Sequence, residues 1–253
     1  MEKSFRTIDR DLASRIRLIM TDVDGTLLSI GNTVSRGVAE SISALGSSGI
    51  TTGLVSGRTL PELESMAYEL GIIGPVIAEN GAVAKLAPGE PLLELGYSRE
   101  AALAGLKKLK SMFPGSIHER EDNKDRIVDV VFRADGLSLN DIRRHLGTTQ
   151  LLDSGYILHL MQPGINKGKT LKRVLDEFYD THMAYDEVMV FGDSATDLSL
   201  FELFSSNVLV INPNLPDGQT ELMQERATYI SERQYGEGFL EVALHIIKVR
   251  END

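Results

Sequence analysis

Short apolar, β-branched runs alternate along this chain with longer amphipathic stretches, and several of those runs stop abruptly at Asp, Ser or Gly. Strands separated by helices are joined by crossovers, so the alternation calls for a parallel sheet built from βαβ units. Ile16–Met20 reads as a buried strand, and Val34–Leu45 as a helix with Val38, Ile42 and Leu45 on one face. Thr51–Val55 reads as a second strand, Leu60–Leu70 as a helix and Pro75–Ala78 as a third short strand. Later, Thr170–Phe178 and Asp197–Leu203 read as helices, and Val188–Phe191 and Val208–Ile211 as strands.

The 253 residues suffice for one large domain or two unequal ones. The middle of the chain departs from the alternation. Ala82–Leu86 and Leu92–Leu95 flank the turn signal Pro88-Gly89-Glu90. Ser98–Met112 carries Leu103, Leu106 and Leu109 on one side, and Asp125–Phe132 alternates as Ile127, Asp129, Val131, which suits a strand with one exposed face. The expected organisation is an α/β core of residues 1–82 and 162–253, with residues 83–161 as an α+β insertion.

Composition removes several classes of function. With no cysteine, disulfides, thiolate zinc sites, iron–sulfur clusters and cysteine nucleophiles are excluded. Asp and Glu number 37 against 26 Lys and Arg, a net charge of −11. No basic run exceeds Lys107-Lys108 or Arg143-Arg144, so nucleic acid is not an expected partner. The polar start MEKSFRTIDRDLASR lacks an apolar signal core, and no run of about 18 apolar residues occurs. The expectation is a cytoplasmic protein without a membrane partner. An anionic substrate would need neutralising by a metal ion or a lysine.

Four strand ends carry residues with chemistry. The first runs Thr21-Asp22-Val23-Asp24-Gly25-Thr26-Leu27. Carboxylates at i and i+2 of an extended segment share a side, at the carboxyl end where open α/β sheets bind ligands. Acids this close share a proton or bind a cation, and one can attack while the other holds a proton. An EF-hand loop is excluded, because placing Gly25 sixth puts Met20 first and Gly31 twelfth. A plain Asp-rich turn is the alternative. The second strand ends at Ser56-Gly57-Arg58-Thr59. Ser56 offers a hydroxyl, Gly57 admits backbone N–H groups to an anion, and Thr59 with Glu62 has capping-box spacing.

Pro163-Gly164-Ile165-Asn166-Lys167-Gly168-Lys169-Thr170 misses the P-loop pattern, since Pro163 stands where the first glycine belongs. Lys167 remains as a positive charge at a loop–helix junction. The last strand ends in Gly192-Asp193-Ser194-Ala195-Thr196-Asp197. Asp193 and Asp197 suit one hard cation, while Ser194 and Asp197 also match the spacing of a helix cap.

Taken in order, Asp22-Val23-Asp24-Gly25-Thr26, Ser56, Lys167 and Gly192-Asp193-Ser194-Ala195-Thr196-Asp197 resemble the four motifs of the haloacid dehalogenase superfamily of phosphohydrolases. The resemblance covers nearly all of the chain beyond about Arg17. The insertion between the second and third motifs, entered by Glu79-Asn80-Gly81-Ala82, is similar to the C2-capped, Cof-type or IIB branch. Tyr235-Gly236-Glu237-Gly238 is similar to the archaeal-type phosphoglycolate phosphatases and the sucrose-phosphatase-like group. Two features depart from the pattern: Thr196 stands where Asn is usual, and residues 1–15 lie outside it.

The resemblance implies a HAD-like (Rossmannoid), doubly wound parallel sheet with an α+β cap. Asp22 would form an aspartyl-phosphate, and Asp24 would protonate the leaving oxygen and then deprotonate water. Mg²⁺ would sit on Asp22, the Asp24 backbone carbonyl, Asp193 and Asp197, the last directly or through water. Ser56 and Lys167 would hold phosphoryl oxygens, with Gly57 and Arg58 also in substrate binding. The expected function is a Mg²⁺-dependent phosphatase for a small metabolite, phosphoglycolate or a sugar phosphate. The alternative is a phosphomannomutase-like phosphotransferase with the same nucleophile, in which His118, Arg120, Lys124, Arg126 and Arg133 would hold a second phosphate. A receiver domain is about half this length and lacks the second Asp followed by Gly-Thr. Monomer and homodimer both stay open.

Overall fold

The computed structural model describes residues 3–28, 33–155, 157–179, 183–215 and 218–251. Its strands in chain order are β1 (Leu18–Thr21), β2 (Thr51–Val55), β3 (Val76–Ala78), β4 (Val83–Lys85), β5 (Ile117–Glu119), β6 (Val130–Ala134), β7 (Gln150–Asp153), β8 (Leu158–Met161), β9 (Val188–Gly192), β10 (Ser206–Ile211) and β11 (Tyr229–Gln234). The α-helices are α1 (Arg10–Arg15), α2 (Arg36–Ser47), α3 (Leu60–Leu70), α4 (Glu100–Met112), α5 (Leu139–Leu146), α6 (Lys167–Arg173), α7 (Leu198–Leu203), α8 (Gln219–Arg226) and α9 (Tyr235–Glu251). A seven-stranded sheet runs β11-β10-β9-β1-β2-β3-β4, parallel except for β4, and a four-stranded antiparallel sheet runs β5-β6-β8-β7.

The central strands β1 and β9 are buried without interruption because both faces of the large sheet are covered. Ile19, Leu54, Val76 and Phe191 pack with α1, α2, α3 and α9 on one face. Leu18, Met20, Val55 and Val190 pack with α6, α7 and α8 on the other. The doubly wound core is thus written in the side-chain alternation of each strand. The small sheet has its own core, where Val130, Phe132 and Leu160 meet Ala102, Leu106 and Leu109 of α4 and Ile142 and Leu146 of α5.

Two segments of the expected insertion depart from the sequence reading. Val83–Lys85 is no part of a hairpin with Leu92–Leu95; it pairs antiparallel with β3 at the edge of the large sheet. Leu92–Leu95 forms no strand and is tied to β4 by the Leu93 N–H on the Ala84 carbonyl (2.9 Å). The strand expected from Asp125 starts only at Val130. The N–H groups of Ile127, Val128 and Asp129 all donate to the Glu79 carboxylate and so are withdrawn from any ladder.

The N-terminal segment outside the family pattern is built into the core. Ser4 bridges to Ile230 at the β11 edge, Phe5 is buried against His245, and Arg250 donates to the Ala13 and Ile16 carbonyls. Among the described residues, no helix is long and apolar enough to cross a membrane.

Candidate active site

Parallel pairing sets Thr21 beside Leu54 of β2 and Phe191 of β9. The residues that follow each strand therefore leave the sheet at one edge: Asp22, Ser56 and Asp193. The Asp22 N–H still bonds the Phe191 carbonyl (3.0 Å), which fixes the first carboxylate at the strand end. Gly25 then turns the chain at φ 88°, and a Cβ there would overlap the Asp193 carboxylate, so glycine is required on both counts.

The third and fourth motifs converge on Asp22. Asn166 caps α6 by accepting from the Lys169 N–H (2.8 Å), which places Lys167 in the first turn. The Lys167 ammonium is buried and donates to Asp22 Oδ1 (2.7 Å) and Asp197 Oδ1 (2.6 Å). The Thr196 hydroxyl lies 3.4 Å from the same nitrogen, so a polar group still faces Lys167 where Asn is usual. Asp197 Oδ2 accepts from the N–H groups of Asp193 (3.1 Å) and Ser194 (3.2 Å), realising the capping spacing as well. Asp193 accepts from Thr26 Oγ1 (3.1 Å) and Asn212 Nδ2 (2.6 Å).

Three buried carboxylates thus face one ammonium. Burial pushes the Asp22 carboxyl well above its ordinary range, reinforced by Asp197 and Asp193 and opposed by Lys167. Burial, with Asp197 next, pushes Asp193 up to about 7. Burial works against the charge on Lys167, yet Asp197 and Asp22 outweigh it and raise its pKa. One ligand oxygen from each of Asp22, Asp193 and Asp197 lies within 4.8 Å of the others. A buried all-oxygen set with surplus negative charge fits a hard divalent cation. The Asp197 oxygens are already engaged by Lys167 and by backbone N–H groups, whereas among the described residues Asp22 Oδ1 has only the lysine.

Asp24 turns to the exposed rim, where Arg58 grips it with two bonds (2.6 and 2.8 Å). That bond to Asp24 also raises the pKa of the guanidinium. Ser56 is buried at the end of β2, and its hydroxyl accepts from the Arg58 N–H (3.3 Å). The capping box of Thr59 and Glu62 starts α3 immediately behind. The Gly57 carbonyl instead accepts from Arg126 Nη1 (3.1 Å).

Sequence reasoning missed Asn212, which follows β10 with no distinguishing motif around it. It also missed the use of Glu79, Asn80, Asp129 and His159, although the Glu79-Asn80 pair was conspicuous as the entry to the insertion. The cations considered for a second phosphate mostly have acidic partners: Arg126 with Asp129 and Asp122, Arg120 with Asp122, His118 with Asp135. The cavity of about 590 Å³ that His118, Arg120, Lys124 and Arg133 line also carries Glu119, Glu121, Asp122 and Asp125.

Comparisons with known proteins agree with this geometry. The phosphoglycolate phosphatase of Thermoplasma volcanium is 30% identical over 232 residues, covering 91% of this chain and 98% of the relative. The crystal structure of Thermoplasma acidophilum 0175 superposes with a TM-score of 0.80 at 26% identity, covering 91% of this chain and 98% of that one. The sucrose-phosphatase of Synechocystis, solved with sucrose and phosphate, shares the fold at a TM-score of 0.66 and 17% identity, over 90% of this chain and 97% of its own. The haloacid dehalogenase-like hydrolase profile matches residues 19–124 and 108–241 in two overlapping segments, and this enzyme belongs to that family.

Proposed function

We propose that this chain is a Mg²⁺-dependent phosphatase that hydrolyses a small phosphorylated metabolite through an aspartyl-phosphate on Asp22. The observation that carries the reading is the buried cluster of Asp22, Asp193, Asp197 and Lys167 at the carboxyl end of the parallel sheet. Phosphoglycolate is the first substrate to test, given the names of the relatives; a sugar phosphate is the second. The segments from α4 to β8 would act as the cap.

In this reading an Asp22 oxygen attacks phosphorus as the ester P–O bond breaks. Asp24 gives its proton to the leaving oxygen. Water then attacks the acyl phosphate, Asp24 takes the water's proton, and phosphate leaves with Asp22 restored. Lys167 and Ser56 bind phosphoryl oxygens, and Lys167 keeps Asp22 oriented. Arg58 acts at the rim: an incoming phosphate dianion competes for its guanidinium and frees Asp24 to carry a proton. Asp22, Asp193 and the Asp24 backbone carbonyl, with Asp197 directly or through water, would hold Mg²⁺, which would neutralise charge on the transferring group.

The test is phosphate release from phosphoglycolate, hexose phosphates, sucrose phosphate and nucleotides, with Mg²⁺ and with EDTA. Release that needs Mg²⁺ and disappears in Asp22→Asn supports the reading. Release at the parent rate from Asp22→Asn overturns it.

A further inference from the structure

The insertion meets the core through a buried polar joint that lies directly against the second strand end. Three successive carbonyls there are taken by groups from outside β2. The Ser56 carbonyl accepts from the Asn80 N–H and the Arg58 carbonyl from the Glu79 N–H, each at 3.0 Å. The Gly57 carbonyl accepts from Arg126, which comes from the insertion and is 2% exposed at its side chain.

Arg126 is itself held from several sides. It donates to both oxygens of Asp129 (2.7 and 2.9 Å) and to Asp122 Oδ2 (3.0 and 3.3 Å). His159 Nδ1 lies 2.7 Å from Asp129 Oδ2 and 3.2 Å from Asn80 Nδ2. Glu79, fully buried, accepts from the N–H groups of Ile127, Val128 and Asp129 at 2.7 to 2.8 Å. Glu79 and Asn80 adopt φ values of 52° and 57°, a region that non-glycine residues hold only where their surroundings fix them.

A trans peptide sends its C=O and the next N–H in opposite directions, and no cis bond occurs among the described residues. With the Gly57 carbonyl tied to Arg126, the Arg58 N–H faces the Ser56 hydroxyl. A cation on the carbonyl also polarises the peptide and makes that N–H a stronger donor.

We propose that Arg126 is a positioning residue for phosphoryl binding. From the insertion it clamps the Gly57 carbonyl, so that the Gly57–Arg58 peptide offers its N–H to the phosphoryl oxygen at Ser56. Glu79 and Asp129 fix Arg126 for this task. The proposal rests on the phosphatase reading of the Ser56 end of the site. Coupling of this kind is reciprocal: if the joint improves anion binding, an anion at Ser56 must tighten the joint.

Two measurements test it. The first compares the parent with Arg126→Lys, which keeps the charge beside Asp129 but lacks the guanidinium fork. The readouts are the melting temperature, kcat/KM for phosphate release, and inhibition by orthovanadate. A folded Arg126→Lys with vanadate inhibition and kcat/KM each weakened about tenfold supports the proposal. Parent values of both overturn it. The second follows amide exchange in the parent, with Mg²⁺ and with or without orthovanadate, and needs no variant to fold. Vanadate slowing exchange at Ile127–Asp129 together with Gly57–Arg58 supports the proposal. Slowing confined to Gly57–Arg58 overturns it. Failure of the phosphatase reading shows separately, as absent phosphate release by the parent enzyme.

Discussion

Two buried charge clusters lie at the two ends of the loop system that follows the parallel strands, and they are balanced differently. At the strand ends, Asp22 and Asp197 share one Lys167 with Asp193 close beside them, and burial drives Asp22 and Asp193 above the carboxylate range. At the joint, Asp129 is as deeply buried, yet its pKa is lowered: burial raises it, but His159 and Arg126 together outweigh that. Glu79 is raised by burial and by Asp129, while three backbone N–H groups pull it back. The first cluster has surplus negative charge that a proton or a bound cation offsets. The second is close to closed within the protein. An open cluster is what chemistry needs, and a closed one is what fixed geometry needs.

The two clusters should respond oppositely to losing a carboxylate. Asp22→Asn is expected to cut phosphate release by at least about 10³-fold, because the nucleophile is gone. In EDTA its melting temperature should not fall below that of the parent, since an amide relieves the surplus charge. Asp129→Ala should do the reverse. It leaves the buried Arg126 with Asp122 as its remaining carboxylate and takes away the partner of His159, so chemical denaturation should show a loss of about 2–3 kcal/mol. Equal stability costs at the two positions would refute the contrast.

The open cluster also makes stability depend on pH and divalent ions in a definite direction. Asp193 in the folded chain titrates near 7, against an unfolded value of about 3.9. Between these values the folded state binds the extra proton, so this group's contribution to stability falls as pH rises from about 4 through 7. Asp129, whose folded pKa is lowered, acts only in more acidic solution, through loss of stability as it is protonated. In EDTA the melting temperature should therefore drop between about pH 5 and 8 more in the parent than in Asp193→Asn. Mg²⁺ at 100 times its Kd should restore about 2.7 kcal/mol at the alkaline end of that range. Identical pH slopes for parent and variant would remove Asp193 as the cause.

The open cluster was legible in the sequence and the closed one was not, for a physical reason. Chemistry at a sheet edge writes itself next to apolar strands: Asp22, Ser56 and Asp193 each follow a run whose burial on both faces makes it unmistakable. Lys167 was legible because a capped helix begins there. The joint has such a frame on one side only. Its acceptor, Glu79, follows β3 directly, but its donors at Ile127–Asp129 lie about 50 residues further on, in a segment that is neither helix nor strand. The alternation of Ile127, Asp129 and Val131 even pointed to a strand, because a period of two cannot tell a sheet neighbour from a buried carboxylate as the partner of the N–H groups. Likewise the apolar pattern of Ala82–Leu86 identified a strand but not the sheet that claims it.

A third ion pair sets the lower end of the scale. Arg58 and Asp24 make two short bonds, as good in geometry as those of Arg126 with Asp129, but their side chains are 24% and 45% exposed. Water screens the pair, and each partner is well solvated when alone, so Arg58→Met should change unfolding stability by less than about 1 kcal/mol. Its consequence belongs to binding. With Arg58 gone, the rim loses a cation that a phosphate dianion would meet, so KM should rise while the melting temperature holds. Denaturant titration beside steady-state phosphate release separates the two. A stability loss as large as that of Asp129→Ala would mean that hydrogen-bond geometry, rather than burial, decides what these charges contribute.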